Sequence, residues 1–109
     1  MGKTSRSLVT MPSQAKQGDI IDIKVIVQHD MESGFRRDEQ GNIIPRDILR
    51  GFLCTYNGTE VFRADLHPGT GANPMIVFST VATETGTFEF TWTGDNDYLA
   101  KTTSQLTVT

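Results

Sequence analysis

An alternation of apolar and polar residues recurs along most of this chain. Its clearest example covers residues 21–27, where β-branched residues occupy every second position, and it returns over residues 88–93 and 104–109. Successive side chains of a β-strand point to opposite faces, so this two-residue period predicts strands with one buried face. No segment combines a helical period with a helix cap. The alternation therefore predicts an all-β fold.

Turn signals separate these runs. Asn57-Gly58 is the strongest short hairpin signal, and Thr85-Gly86 and residues 94–97 mark two further turns. About seven short strands in a chain of 109 residues are typical of an immunoglobulin-like antiparallel β-sandwich, which is the predicted fold. The remaining predicted strands cover residues 48–56, 60–66 and 75–82.

Composition excludes several classes of protein. The chain has 10 basic and 13 acidic residues, and this net charge of −3 argues against binding to nucleic acid or to an anionic membrane. Its apolar runs are too short for a transmembrane helix or a signal peptide. A single cysteine excludes an internal disulfide. We expect a flexible extension over residues 1–9 and one sandwich domain over residues 10–109.

The candidate catalytic residues are few. Cys54 alternates with Phe52 and Tyr56 on a predicted inner face, and no neighbouring His or Lys would lower its pKa, so we interpret it as a buried structural thiol. His29 and His67 are the only histidines and lack the short spacing of metal ligands, so we interpret them as hydrogen-bonding residues at strand ends. We therefore expect no enzyme activity, no metal and no cofactor, and a binding or scaffold role instead.

Two segments indicate a partner. Residues 30–46 form a long polar loop. This loop and the strand after it contain a cluster of arginines, whereas residues 65–109 contain one Lys and no Arg. The clustered arginines are Arg36, Arg37, Arg46 and Arg50. This asymmetry fits either a surface that docks anions or partners, or a solvated loop whose arginines pair with nearby carboxylates. Residues 75–78 are apolar on both faces of a predicted strand. The outer face is then covered either by another chain, which we favour, or by a loop of the same chain.

Several ordered motifs resemble the SoxZ family. Residues 29–38, HDMESGFRRD, with Gly41 and IPRDI over residues 44–48, resemble its H-P-M-E-x-G-x-R-x-D…G…I-P-R-x-I stretch. The similarity continues in order along nearly the whole chain, over roughly residues 10–108. Its further motifs are FLCTYNG (52–58), ADLHP (64–68), ANP (72–74) and FEFTW (88–92).

The resemblance implies an immunoglobulin-like subunit that pairs with SoxY in the SoxYZ carrier complex of bacterial sulfur oxidation. SoxY holds the substrate sulfur on a cysteine in a flexible arm, so this chain would be the non-carrying scaffold. The complex would be a heterodimer or a higher oligomer that meets other Sox enzymes transiently. It would work in the periplasm, and this chain would be exported together with SoxY, without a signal peptide of its own.

The predicted contact residues come from the motifs that match the family and from the apolar strand. Two alternatives stay open at this point: direct covalent carriage of sulfur by Cys54, and a SoxZ-like binding domain of another redox pathway. The predicted partner-binding residues are His29, Met31, Arg36, Arg46, His67, Asn73, Pro74, Ile76 and Phe78.

Overall fold

The computed structural model describes residues 6–109, and this range contains eight β-strands and no helix. The predicted all-β class is confirmed. No helix in the described range is long and apolar enough to cross a membrane. The strands are β1 (Ser7–Thr10), β2 (Gln14–Ala15), β3 (Ile20–Val27), β4 (Leu49–Tyr56), β5 (Thr59–Asp65), β6 (Met75–Val81), β7 (Gly86–Gly94) and β8 (Leu99–Val108).

The strands form two sheets. A three-stranded sheet has the order β1-β3-β6, and a five-stranded sheet has the order β2-β8-β7-β4-β5. All pairings are antiparallel except that of the two-residue strand β2 with β8. The predicted sandwich is confirmed, with two short amino-terminal strands in addition. Of the extension predicted over residues 1–9, residues 1–5 lie outside the described range, and residues 7–9 belong to β1, which pairs with β3.

Aromatic side chains from both sheets form the core. Phe52 and Trp92 lie on neighbouring strands of the five-stranded sheet, with ring centroids 4.6 Å apart. Phe78 of the three-stranded sheet stacks on Phe62 of β5 at 4.5 Å, which joins the two layers. Burying each such side chain contributes roughly 1.5–3 kcal/mol. The alternation therefore sets which residues enter the core and which stay on the two outer faces.

Three loops meet at one end of the sandwich. They are the long β3–β4 loop over residues 28–48, the β5–β6 loop over residues 66–74 and the β7–β8 loop over residues 95–98. The long loop folds back on itself through isolated bridges between Glu32 and Asp47 and between Arg37 and Ile43. This end of the molecule contains most of the residues predicted to bind a partner.

Candidate functional site

Paired backbone and amide bonds join the β3–β4 loop to the β5–β6 loop. The His29 N–H donates to Oδ1 of Asn73 at 3.0 Å, and the Asn73 N–H donates to the His29 carbonyl at 2.7 Å. Asn73 has a φ of 51°, a left-handed conformation that Asn tolerates better than most residues. Two of the predicted residues therefore lie together, and they fix the position of both loops.

The His29 side chain is an anchor inside this loop cluster. It is only 7 % exposed, and its Nδ1 accepts the Met31 N–H at 2.9 Å. Because Nδ1 accepts a hydrogen bond, it carries no proton in this arrangement. The ring packs edge-on against Tyr98 at 5.0 Å, and its Nε2 lies 4.0 Å from an Asp47 carboxylate oxygen. His29 thus orients the loop from within.

Met31 is buried beneath the same loop. Its backbone has a φ of 55°, and its sulfur accepts the Leu49 N–H at 3.2 Å. Pro74, also buried, accepts the Val27 N–H through its carbonyl at 3.2 Å. Both predicted contact residues therefore support the loops from the inside, where a partner could reach them only after a rearrangement.

Arg46 joins the β3–β4 loop to the β7–β8 loop. Its Nε and Nη2 donate to the two carboxylate oxygens of Asp95 at 2.9 and 3.0 Å, and Asp95 also accepts the Ile48 N–H at 3.2 Å. Burial of the carboxyl tends to raise the pKa of Asp95. The hydrogen bonds from Arg46 and Ile48 and the charges of Arg46 and Arg50 outweigh that effect and lower this pKa.

Arg36 takes a different position from Arg46. It is exposed and forms an ion pair with Glu32 four residues earlier, and this hydrogen bond lowers the pKa of the Glu32 carboxyl. The two residues line a small cleft with Asp30 and Ser33. The arginine cluster of the sequence is therefore divided in space, with Arg36 in this cleft and Arg46 elsewhere.

A larger groove of about 680 Å³ lies on the outer face of the five-stranded sheet. It brings together Arg46 and His67, two predicted residues that are distant in sequence, with Arg50 and Arg63. We call it the arginine groove. The residues that line it are Arg46, Ile48, Arg50, Gly51, Phe52, Leu53, Arg63, Ala64, Asp65, Leu66, His67, Pro68, Thr91, Thr93 and Gly94.

Two glycines shape the floor of the arginine groove. A Cβ on Gly51, which pairs with Asp65 of β5 and Thr93 of β7, would lie 3.2 Å from the Thr93 hydroxyl. A Cβ on Gly94 would lie 2.6 Å from the Ile48 carbonyl oxygen, so the chain packs there only without a side chain. The missing side chain of Gly51 leaves the depression open between β5 and β7.

The outer face of the three-stranded sheet exposes several large apolar side chains. Met75 and Val77 of β6 are 57 % and 61 % exposed, whereas Ile76 and Phe78 point inward, with Phe78 buried on Phe62. Ile76 and Phe78, which the sequence analysis proposed as contacts, thus belong to the inner side of the strand. The solvent-facing side chains, which we call the apolar face, are Leu8, Ile20, Met75, Val77 and Val81.

Cys54 is fully buried between the sheets, as predicted. Burial raises the pKa of its thiol to about 12, and its nearest polar partner is the Thr55 carbonyl at 3.9 Å. Among residues 6–109, no group of three or more His, Cys, Asp or Glu residues is placed to hold a metal ion. The polar chemistry of the described residues lies on the surface.

Arg50, Arg63 and all five residues of the apolar face were missing from the predicted site residues. The alternation in residues 60–66 places Arg63 and Asp65 on one face, but only the pairing of β5 with β4 shows that this face adjoins Gly51. Period two in β6 separates Met75 and Val77 from Ile76 and Phe78, but all four are apolar, so it does not tell which pair faces solvent. The sequence therefore indicated an apolar strand with two apolar faces, whereas the structure assigns the outer face to Met75 and Val77.

The fold and these surfaces define a two-layer β-sandwich with exposed apolar side chains on the outer face of one sheet and an arginine-lined groove on the other. Residues 9–105 match the model of the family described as sulphur oxidation protein SoxZ. The chain belongs to this SoxZ family, as its motifs predicted, and has a role in the sulfur oxidation system. No curated protein matches the chain significantly in sequence.

Solved structures with the same fold include proteins of different function. A putative superoxide reductase from Thermotoga maritima has a TM-score of 0.74 at 15 % identity, covering 99 % of this chain and 94 % of that one. The superoxide reductase (neelaredoxin) from Ignicoccus hospitalis has a TM-score of 0.68 at 14 % identity, covering 94 % and 80 %. The sulfur carrier protein SoxY from Chlorobium limicola f. thiosulfatophilum has a TM-score of 0.68 at 13 % identity, covering 98 % and 83 %. Identities this low show a shared fold alone.

Proposed function

We propose that this chain is a non-catalytic subunit that pairs with SoxY and so forms a carrier of covalently bound sulfur intermediates in thiosulfate or sulfur oxidation. The observation that carries the proposal is the apolar face of the three-stranded sheet in a member of the SoxZ family. SoxY is the partner because the family is named for sulfur oxidation and because SoxY, a sulfur carrier protein, shares the fold.

The strand register groups the residues of the apolar face into two rows. Leu8 pairs with Ile26 and Ile26 with Met75, so three apolar residues cross the sheet in one row. Ile20 and Val81 form a second row at the other end of the sheet. An exposed sheet face of this kind is typical of a protein interface, and two β-sheets pack face to face about 10 Å apart. The sheet of a similarly folded partner is a suitable cover.

Between these two rows the face is polar. Asp22 accepts a hydrogen bond from the Ser79 hydroxyl at 2.7 Å, and Lys24 lies opposite Val77 in the register. Charged groups at the centre of an interface favour the correct partner and the correct register over others. We expect the surface of SoxY to offer an acidic group opposite Lys24.

The environment of Cys54 supports a scaffold role over direct carriage of sulfur by this chain. A thiol with a pKa of about 12 has an ionised fraction on the order of 10⁻⁵ at pH 7, and the thiolate is the reactive form. Its sulfur is also out of reach of solvent between the two sheets. The sulfur would therefore reside on SoxY, and other Sox enzymes would meet the complex transiently.

We also propose that the complex works in the periplasm and that this chain is exported bound to SoxY. A lone buried thiol suits an oxidising compartment, because it cannot form mixed disulfides while the domain stays folded. The test is cell fractionation with and without SoxY. The chain should be recovered with the periplasm only when SoxY is co-expressed, and a periplasmic location without SoxY would contradict joint export.

The pairing is tested with two matched substitutions. Val77→Asp places a carboxylate on the apolar face beside Lys24, which accommodates it in the free chain. Leu99→Asp places the same charge on an exposed residue of the other sheet, where the native side chain is 50 % exposed. Both variants and the wild type are titrated with SoxY, and thermal unfolding checks that each is folded.

We expect a 1:1 complex for the wild type and for Leu99→Asp. Val77→Asp should weaken binding at least about a hundredfold, since its carboxylate must be desolvated at the interface and would repel the acidic group expected opposite Lys24. Equal affinities for the three proteins would show that SoxY binds elsewhere. The absence of any complex with the wild type would overturn the pairing itself.

A further inference from the structure

The arginine groove collects three arginines on one outer face of a chain whose net charge is −3. Asp65 lines the groove with them, and two of the arginines also pair with carboxylates outside its lining, those of Asp95 and Glu60. The third, Arg50, has no ion pair among residues 6–109. It lies on the sheet opposite to the apolar face, so the proposed pairing with SoxY does not account for it.

Two of the three guanidinium groups are held in place by carboxylates. Arg46 is bound to Asp95, and Arg63 donates to Oε1 of Glu60 through Nε at 3.1 Å and Nη2 at 2.8 Å. Each keeps N–H donors that no hydrogen bond among residues 6–109 uses. The orientation of Arg46 is the better fixed of the two, because Asp95 is only 12 % exposed, whereas both side chains of the Arg63–Glu60 pair are exposed. A group oriented in advance loses little side-chain entropy when it binds a ligand.

Arg50 differs from both. Its side chain lines the groove and has no hydrogen bond or ion pair within the described part of the chain, although its charge lowers the pKa of Asp95. Its backbone is fixed, because the Arg50 carbonyl accepts the Leu66 N–H at 3.0 Å. A permanently charged fork of donors at a fixed strand position suits a bidentate anion.

We propose that the arginine groove is a binding site for a sulfur oxyanion, with Arg50 as its main contact and Arg46 and Arg63 beside it. Anions with several equivalent oxygens match the fork of a guanidinium, and sulfonate, sulfate and thiosulfate are the anions of this type in sulfur oxidation. The choice of anion rests on the role proposed above. The existence of an anion site rests on the groove alone.

The groove has room for more than a free ion. Its volume of about 680 Å³ lies within the range of pockets that hold whole small molecules. The floor at Gly51 and Thr93 is open along the sheet, so a sulfonate attached to a peptide segment fits as well as a free oxyanion. Asp65 repels the anion and, on a longer ligand, accepts a peptide N–H.

The experiment titrates the full-length chain, by calorimetry at constant ionic strength in chloride, with three probes. These are sodium sulfate, sodium thiosulfate and a short glycine-flanked peptide with S-sulfocysteine. The test variants are Arg50→Gln and Gly51→Val, whose added side chain fills the floor. Arg37→Gln is the control, since it removes the same charge from an exposed arginine outside the groove. Thermal unfolding checks each variant.

We expect saturable binding to the wild type. Arg50→Gln and Gly51→Val should each weaken it by about tenfold or more, which for Arg50→Gln corresponds to the loss of one charge-assisted hydrogen bond. Arg37→Gln should leave the affinity unchanged. Asp65→Asn should strengthen the binding of the anion, because it removes the repelling carboxylate. Binding of the peptide alone would identify a carried sulfonate, and equal binding of all three probes a free oxyanion. Three outcomes would overturn the proposal. The first is that none of the probes binds, and the second is that Arg50→Gln and Arg37→Gln have equal effects. The third is that a glutamate peptide of the same length binds equally well.

The same variants separate this proposal from the pairing with SoxY. Arg50→Gln should bind SoxY as the wild type does, and Val77→Asp should keep the affinity of the wild type for the oxyanion. Loss of both properties in either variant would contradict the independence of the two surfaces.

Discussion

The outer faces of the two sheets follow the same alternation but expose different chemistry. The three-stranded sheet exposes Met75 and Val77, whereas the five-stranded sheet exposes Thr91 and Thr93 above a glycine floor and is flanked by arginines. Both faces cover one shared aromatic core. The difference shows that burial constrains only the inner side chains of each strand, so that the outer side chains of the two sheets can differ in chemistry.

The largest expected effect is on the association state of the chain alone. Without a partner, the apolar face should pair with a second copy, and Val77→Asp should convert the protein into a monomer, because a charge on that face opposes its burial. Sedimentation velocity over a range of concentrations measures this. If the wild-type chain stays monomeric at high concentration, the apolar face does not drive association, and this prediction is wrong.

The core between the two sheets, which contains Cys54, should be chemically inert. We expect Ellman's reagent to label Cys54 slowly in the native chain and within seconds in denaturant. Cys54→Ser should lower the free energy of unfolding by roughly 1–3 kcal/mol through a poorly paired buried hydroxyl. Rapid stoichiometric labelling of the native protein, or a persulfide mass shift after turnover, would revive the hypothesis that Cys54 carries sulfur.

The same thiol predicts a dependence on alkaline pH. Its pKa is raised by burial from about 9 to about 12, so the folded state favours the neutral form. The stability this gives is complete below about pH 9 and decreases as the pH rises toward the folded value. Unfolding of Cys54→Ala should lack this decrease, and an identical alkaline profile for both proteins would contradict it.

A smaller effect is expected at the edge of the groove. Asp95→Asn weakens the bonds to Arg46 and Ile48 and should lower the free energy of unfolding by about 1 kcal/mol at pH 7. Because the folded pKa of Asp95 is depressed, its stabilising effect is present above the unfolded value near 4 and is lost as the pH falls. The difference between wild type and variant should therefore shrink in acid. A constant difference from pH 7 to 3 would contradict this role.

The smallest effect is expected at Arg36. Its pair with Glu32 is exposed, and such pairs contribute little because water and salt screen them. Arg36→Ala should leave the midpoint of thermal unfolding unchanged, while Arg46→Ala should lower it. Equal losses for the two variants would mean that the division of the arginine cluster in space has no energetic consequence.

The fold could be predicted in far more detail than the site. Period two and the turns at Asn57-Gly58 and Thr85-Gly86 located the six long strands and the burial of Cys54, because these depend on local residue order. The short strands β1 and β2 lack a full period, so they were missed. The arginine groove depends on the register that places Arg63 beside Leu53 and Asp65 beside Gly51, and register between strands is not visible in one sequence.

The sequence predicted that His29 forms hydrogen bonds at a strand end, and the family motif also made it a predicted partner contact. The segments that hold His29 in place could not be predicted. Its partners Asn73, Asp47 and Tyr98 come from three different segments. A family motif identifies such a residue as important without telling whether it faces inward or outward.

Strand β6 is an edge of the three-stranded sheet, and its seven residues include no charge and no proline. The edge strand β5 of the other sheet is protected differently, since it contains Glu60, Arg63 and Asp65 and pairs with β4 through a bulge. An unprotected edge offers a row of backbone donors and acceptors on which another strand can assemble. The edge of β6 thus makes each copy of the chain a template for misassembly with further copies, a risk that grows with the concentration of the chain.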